Sequence, residues 1–196
     1  MRRSRVARAA PAVAAVLVIG ATVARAQGAP SNAAPPNAAP PQGAPPGFRG
    51  EFLHQFDDAM ARAIALAEAV PAATYGRRPI PAVMPLAQAF AHMARFNYEY
   101  PARAMGIAPP AGVDRDTLER VAEKARVVAL LRRSAEHVRQ TVRQMPDAQL
   151  AEPTTLYGRR VPQWAVLFHL IAHLDGHLGQ AIAYARVSGV VPPWSQ

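Results

Sequence analysis

Residues 162–188 read PQWAVLFHLIAHLDGHLGQAIAYARVS, and this run decides the fold. Pro162 suits the first turn of a helix, where the N–H it lacks has no intrahelical partner anyway. No further proline interrupts the run before Ser188. Gly189 then suits a C-terminal cap, and Pro192-Pro193 prevents continuation. Within it His169, His173 and His177 recur every four residues, so each stands one turn above the last on one face, with Cβ atoms roughly 5–6 Å apart.

Upstream the helical periodicity recurs three times. From about Arg49 to Ala69, Phe52, Phe56, Met60, Ile64 and Ala67 come every three or four residues, while His54, Asp58 and Arg62 fall on another face. Pro71 ends that helix. A loop holding Tyr75-Gly76-Arg77-Arg78-Pro79 and Pro81 leads to a second helix, expected from Pro85 to Tyr100 and stopped or kinked by Pro101. After a loop at Ala108–Gly112, the third is expected to begin at Asp114 or Asp116, with Glu119 as a capping-box partner, and to end near Gln144. Its expected buried stripe is Val121, Ala125, Val128, Leu131, Ala135, Val138 and Val142. Pro146 to Pro153 forms another connection. No long stretch alternates apolar and polar residues, so the expectation is an all-α four-helix bundle.

One internal echo runs through these elements. Tyr75-Gly76-Arg77-Arg78 precedes the second helix and Tyr157-Gly158-Arg159-Arg160 the fourth, with His92 and His173 following the tyrosines by 17 and 16 residues. Two helix pairs related by an approximate two-fold axis would bring those histidines together.

The chain's 196 residues suffice for one well-buried core. Its formal charge of +9 is mostly local: five of the 22 basic residues lie within the first 26 positions, where there is no acid, leaving 17 basic against 13 acidic residues. The later arginines are scattered among acids with no basic stripe and no interleaved aromatics, which argues against a nucleic-acid partner. Arginines at positions 2, 3, 5 and 8, an uncharged stretch from Ala9 to Val23 and Ala24-Arg25-Ala26 describe a cleaved signal peptide over 1–26. The stretch is shorter than the roughly 20 residues that span a bilayer, so no stable membrane anchor is expected after cleavage. Residues 27–47, built from Ala, Pro, Gly, Asn, Gln and one Ser, are expected to form a flexible linker to a domain at 48–196. The chain has no cysteine, which excludes disulfides, thiolate ligands and a lipidated-cysteine anchor. A periplasmic or secreted location follows.

Two neutral imidazoles at i and i+4 can converge on one metal ion, and a third from another helix would leave a position open for water or substrate. His92 is the best candidate for that third ligand. Hydrogen-bonded core histidines have the same spacing, and Leu174 stands where the His-Glu-x-x-His metalloprotease signature has glutamate. His54 and His137 are expected on solvated faces.

Residues from about 52 to 196 resemble the DinB/YfiT-like superfamily, whose members are regarded as metal-dependent enzymes. The matching pieces are Leu66-Ala67-Glu68-Ala69-Val70-Pro71 with Tyr75 and Arg78-Pro79, then Ala91-His92-Met93-Ala94 with Asn97-Tyr98, and finally Ala172 to Gln180 with Tyr184, Arg186, Gly189, Val190 and Pro192-Pro193. The resemblance implies a four-helix bundle with a metal near one end, held by His92, His173 and His177. His169 lies outside that pattern and is expected in the core or beside the ligands. Pairing of bundles into homodimers is a further implication.

Three neutral imidazoles and an open position suit a catalytic divalent ion, which lowers the pKa of bound water and polarises a substrate oxygen. Zinc, nickel and iron(II) all fit imidazole ligation. Gln180 and Tyr184 each lie seven residues beyond a proposed ligand, so they would orient water or substrate, or else bridge helices and pack. Glu99, seven after His92, is a candidate fourth ligand or general base, and Glu68 a structural or functional acceptor. Three functions stay open: a hydrolase-like metalloenzyme for a small substrate, a thiol-dependent transferase as the resemblance also implies, and a non-catalytic metal- or ligand-binding bundle. Such transferases use cytoplasmic thiols, which sits poorly with a signal peptide.

Overall fold

A computed structural model describes residues 47–195. The expected signal peptide and all but the last residue of the expected linker lie outside them. Four long helices make the domain: α1 (Phe48–Ala69), α2 (Leu86–Met105), α3 (Lys124–Gln144) and α5 (Gln163–Val187). A short helix, α4 (Asp147–Ala151), and a hairpin of β1 (Pro153–Leu156) and β2 (Arg159–Pro162) fill the connection before α5. The four-helix expectation holds. Among the described residues, no helix is long and apolar enough to cross a membrane.

Each long helix packs on two others, in the cyclic order α1, α3, α2, α5. Their apolar stripes supply one continuous core, with Phe52, Phe56, Met60, Leu66, Phe90, Leu131, Leu167 and Leu170 fully buried. Truncating a residue such as Phe56 to alanine removes about 3–5 kcal/mol. The pairing that matters most for function is α2 against α5. Leu86 lies by Val187, His92 by His173 and His177, and Tyr100 by His169, so the two helices run antiparallel.

Several boundaries differ from expectation for identifiable reasons. Helix α2 runs through Pro101 to Met105, and Gly106, at φ 69°, ends it with its N–H on the Pro101 carbonyl. An interior proline costs about 3 kcal/mol, but Tyr98, Tyr100, Ala104 and Met105 are all buried around it and offset that cost. Helix α3 starts at Lys124 rather than at the aspartates, because Glu123 caps it by accepting from the N–H groups of Ala125 and Arg126. Its stripe is as expected from Leu131 onward. Before that it shifts to Val127 and Leu130, leaving Ala125 exposed and Val128 half-buried, while Val121 precedes the helix.

The hairpin is the element that the expected connection lacked. Pro153 pairs with Pro162 and Leu156 with Arg159, leaving Tyr157 and Gly158 as a two-residue turn with φ of 49° and 75°. Positive φ at both centres is the turn whose twist suits paired strands. Thr154 ties the hairpin to the end of α2 by donating to the Ala104 carbonyl at 2.5 Å. The Tyr-Gly-Arg-Arg echo is therefore no structural repeat. Tyr75 is buried and donates to the Ala67 carbonyl at 2.6 Å, whereas Tyr157 is 70% exposed.

Candidate metal centre

Spacing of four along α5 stacks His173 and His177 on the face turned toward α2, and the antiparallel crossing brings His92 opposite them. Ring centroids lie 5.1 Å apart for His92 and His173, 4.4 Å for His92 and His177, and 4.5 Å for His173 and His177. One ligand nitrogen from each can be chosen so that all lie within 4.8 Å of one another. All three residues are half-buried. The expected triad is thus assembled from two helices.

The rings' hydrogen bonds prepare two of them for a cation. Nδ1 of His92 lies 2.8 Å from Oε1 of Glu119. Burial alone would raise the Glu119 carboxyl, but bonds from Gln88, His92 and Arg95 together hold it below the ordinary range. A carboxylate can only accept, so Nδ1 of His92 carries the proton and Nε2 keeps its lone pair. Nδ1 of His177 lies 2.9 Å from the amide oxygen of Gln180, which can also only accept, and the same tautomer follows. His173 has a buried Nδ1 with no protein partner.

Burial keeps the His92 and His173 rings neutral, as ligands must be. Burial pushes the His173 imidazole down to about 3, with His177, His92 and His169 adding to the effect. Burial lowers His92 as well, and the contacts with Glu119 only partly restore it. Two rings held neutral, two ring tautomers fixed from outside and a buried unpartnered nitrogen all fit a divalent ion. Phe96 packs on both His92 and His173, at 4.6 and 4.3 Å between centroids, and Tyr100 stands edge-on to His173.

The other expected residues separate into two groups. Gln180 and Tyr184 join the site, since Gln180 holds His177 and its Nε2 donates to the Tyr184 hydroxyl at 2.8 Å. Glu99 does not. It is buried and held by Arg103 at 2.5 Å and Arg115 at 2.7 Å, and it lies outside the ligand cluster. Glu68 pairs with Arg132 on the surface. His169 sits beside the ligands through a 3.1 Å contact from its Nε2 to the Tyr100 hydroxyl. His54 is exposed as expected, but His137 is half-buried, with its ring 5.1 Å from that of Tyr98 and Nε2 enclosed.

Two contributors were missed. Glu119 looked like a helix cap, but the segment 114–123 folds into turns that carry it back to His92, 27 positions away. Gln88, one turn before His92, was the only local hint, since it steadies Glu119 at 3.1 Å. Tyr157 reaches Tyr100, hydroxyl to hydroxyl, at 2.8 Å. Its placement depends on the hairpin, which periodicity did not disclose.

Comparison with known proteins agrees with this fold. Residues 55–181 match the DinB superfamily. A DinB-like protein from Bacillus cereus is similar in structure at a TM-score of 0.65, with 15% identity over 74% of this chain and 95% of that one. The DinB-like protein YjoA from Bacillus subtilis gives 0.58, with 20% identity over 74% of this chain and 98% of its own. A conserved protein from Enterococcus faecalis gives 0.54, with 17% identity over 70% and 94%. No curated protein shows a significant match.

Proposed function

The chain belongs to the DinB superfamily, and from that premise we propose a divalent-metal-dependent enzyme that hydrolyses a small substrate outside the cytoplasm. The observation that carries the proposal is the convergence of His92, His173 and His177, from two helices, on one point. These three would hold the ion. When bound, zinc, nickel or iron(II) supplies Lewis acidity that polarises a substrate oxygen and makes water a stronger acid.

The chain's own residues do the positioning. Glu119 and Gln180 each fix one histidine tautomer from behind. Tyr184 accepts from Gln180 and has its own O–H free to donate toward a substrate along the same stripe of α5. Tyr100 is raised chiefly by burial and then by Tyr157, so it stays protonated and can donate. Phe96 shields the His173 side from water. The arginine-led N-terminal segment supports export. Pairing of two copies is supported by the outward face of α5, where exposed Phe168 and Val187 flank the small residues Ala172, Gly176, Gly179 and Ala183, with Asp175 and Arg186 as the charged residues among them.

The test is metal analysis of the full chain purified without a histidine tag. One equivalent of metal, lost in His173→Ala, supports the proposal, and hydrolysis assays on the loaded protein follow. Metal-free protein of unchanged stability refutes it. Mass analysis of the N-terminus from fractionated cells checks cleavage after Ala26, and gel filtration of Phe168→Glu checks pairing.

A further inference from the structure

Toward the C-terminal end of α5, past His177 and Gln180 in the chain, lies a cavity of about 340 Å³. Arg77 and Arg78 line it, and so do Tyr184 and Ser188. Pro79, Leu86 and Val187 give it an apolar flank. No acid lines it, and among the described residues neither arginine is in an ion pair, in contrast to Arg95, Arg103, Arg115 and Arg139.

The two guanidinium groups are placed there by a fastened loop. The Arg77 carbonyl accepts from the Leu86 N–H at 3.1 Å, and the Tyr75 carbonyl from the Ala87 N–H at 2.8 Å, so two of the unpaired donors that begin α2 hold the loop down. Tyr75 anchors its other side on α1. The nearby end of α5 contributes roughly half a negative charge, which two full positive charges outweigh. Guanidinium groups bind carboxylate or phosphate oxygens in pairs. The hydroxyl of Tyr184 and that of Ser188 add neutral donors.

We propose that this cavity is an anion subsite for a small amphiphilic acid, a carboxylate or phosphate monoester carrying a short apolar chain. Its head rests on Arg77 and Arg78 and its chain on Leu86, Pro79 and Val187. Tyr184, on the cavity wall, lies seven residues along α5 from His177, a rise of about 10 Å at 1.5 Å per residue, so the cavity neighbours the histidines without containing them. That the acid is the substrate rests on the function proposed above; the anion subsite itself does not.

The experiment is calorimetric titration of the full chain with hexyl phosphate, hexanoate and hexanol, repeated on the Arg77→Gln/Arg78→Gln double variant, with metal content measured on both. Saturable binding of either acid, weaker by about tenfold or more in the double variant at unchanged melting temperature, supports the proposal. The stronger of the two acids identifies the head group. Acids that bind no better than hexanol overturn it, as does a double variant that binds like the parent. Acid binding by a chain that holds no metal keeps the subsite and removes the metal reading, so the two failures are distinct.

Discussion

Replacing Glu119 by alanine should weaken metal binding without unfolding the bundle. Glu119 Oε1 takes both Nδ1 of His92 at 2.8 Å and Nη1 of Arg95 at 3.1 Å, while Gln88 donates to Oε2. Its removal frees His92 to change tautomer and to rotate, either of which takes Nε2 out of the ligand set. An outer partner of this kind contributes about 10–100-fold in affinity, or about 1.4–2.7 kcal/mol at 1.36 kcal/mol per factor of ten. Glu119→Gln keeps an acceptor and loses the charge, so it should fall near the lower end.

The assay is competition for zinc between chelator-stripped protein and a chromogenic chelator at pH 7.5, with circular dichroism to confirm helicity. Because Glu119 lies in a turn between α2 and α3, helix content should stay constant. His92→Ala, which removes a ligand outright, sets the scale for a larger loss. If both Glu119 variants bind zinc within about threefold of the parent while His92→Ala fails, Glu119 is only a partner for Arg95 and the tautomer argument is wrong.

Further outcomes follow from other contacts. Glu99→Gln should leave metal stoichiometry unchanged while lowering stability by about 1 kcal/mol in urea unfolding, because it removes the charge that buried Glu99 presents to the exposed Arg103 and the partly buried Arg115; loss of metal would restore Glu99 as a ligand. Burial lowers the His137 imidazole, so the unfolded chain takes up a proton at higher pH than the folded one. The stability that depends on neutral His137 is present above pH 6.5 and is lost as pH falls toward its lowered folded value, and the drop in melting temperature from pH 7.5 to 5.5 should shrink in His137→Leu. At the hairpin, Tyr157 occupies the left-handed region at φ 49°, which asparagine tolerates and a β-branched residue does not. Tyr157→Asn should therefore be more stable than Tyr157→Val by about 1–2 kcal/mol, and equal unfolding midpoints would contradict the turn geometry.

The helices were legible where large apolar residues leave only one face to bury. Phe52, Phe56 and Met60 admit one frame for α1, and Leu167, Leu170, Leu174 and Leu178 admit one for α5. Between Val121 and Val128 two frames fit equally well, and the choice belongs to the cap at Glu123, which a capping box drawn around Glu119 had hidden. Pro101 signals a stop locally, yet burial on both sides of it carries α2 onward for another turn. The hairpin has strands of only four residues and a Tyr-Gly turn in place of the usual Asn-Gly or Asp-Gly signal, so its alternation is too brief to register.

The site divides along the same line. Helical spacing and resemblance named the three histidines, because four-residue steps on α5 translate directly into one face. What lies around and beyond them comes from connections: Glu119 from the segment after α2, Tyr157 from the turn before α5, and, in the cavity at the end of α5, Arg77 and Arg78 from the loop before α2. A connection's path depends on where its ends are held, and those anchors are tertiary: Tyr75 on Ala67, Leu86 on Arg77, Arg115 on Glu99, Thr154 on Ala104. The helices therefore fix where an ion would sit, while the loops decide how tightly it is held and what can reach it. Substitutions in Arg77, Arg78 or Glu119 should then change binding at nearly constant melting temperature, whereas truncation at Phe90 or Leu170 should lower both together.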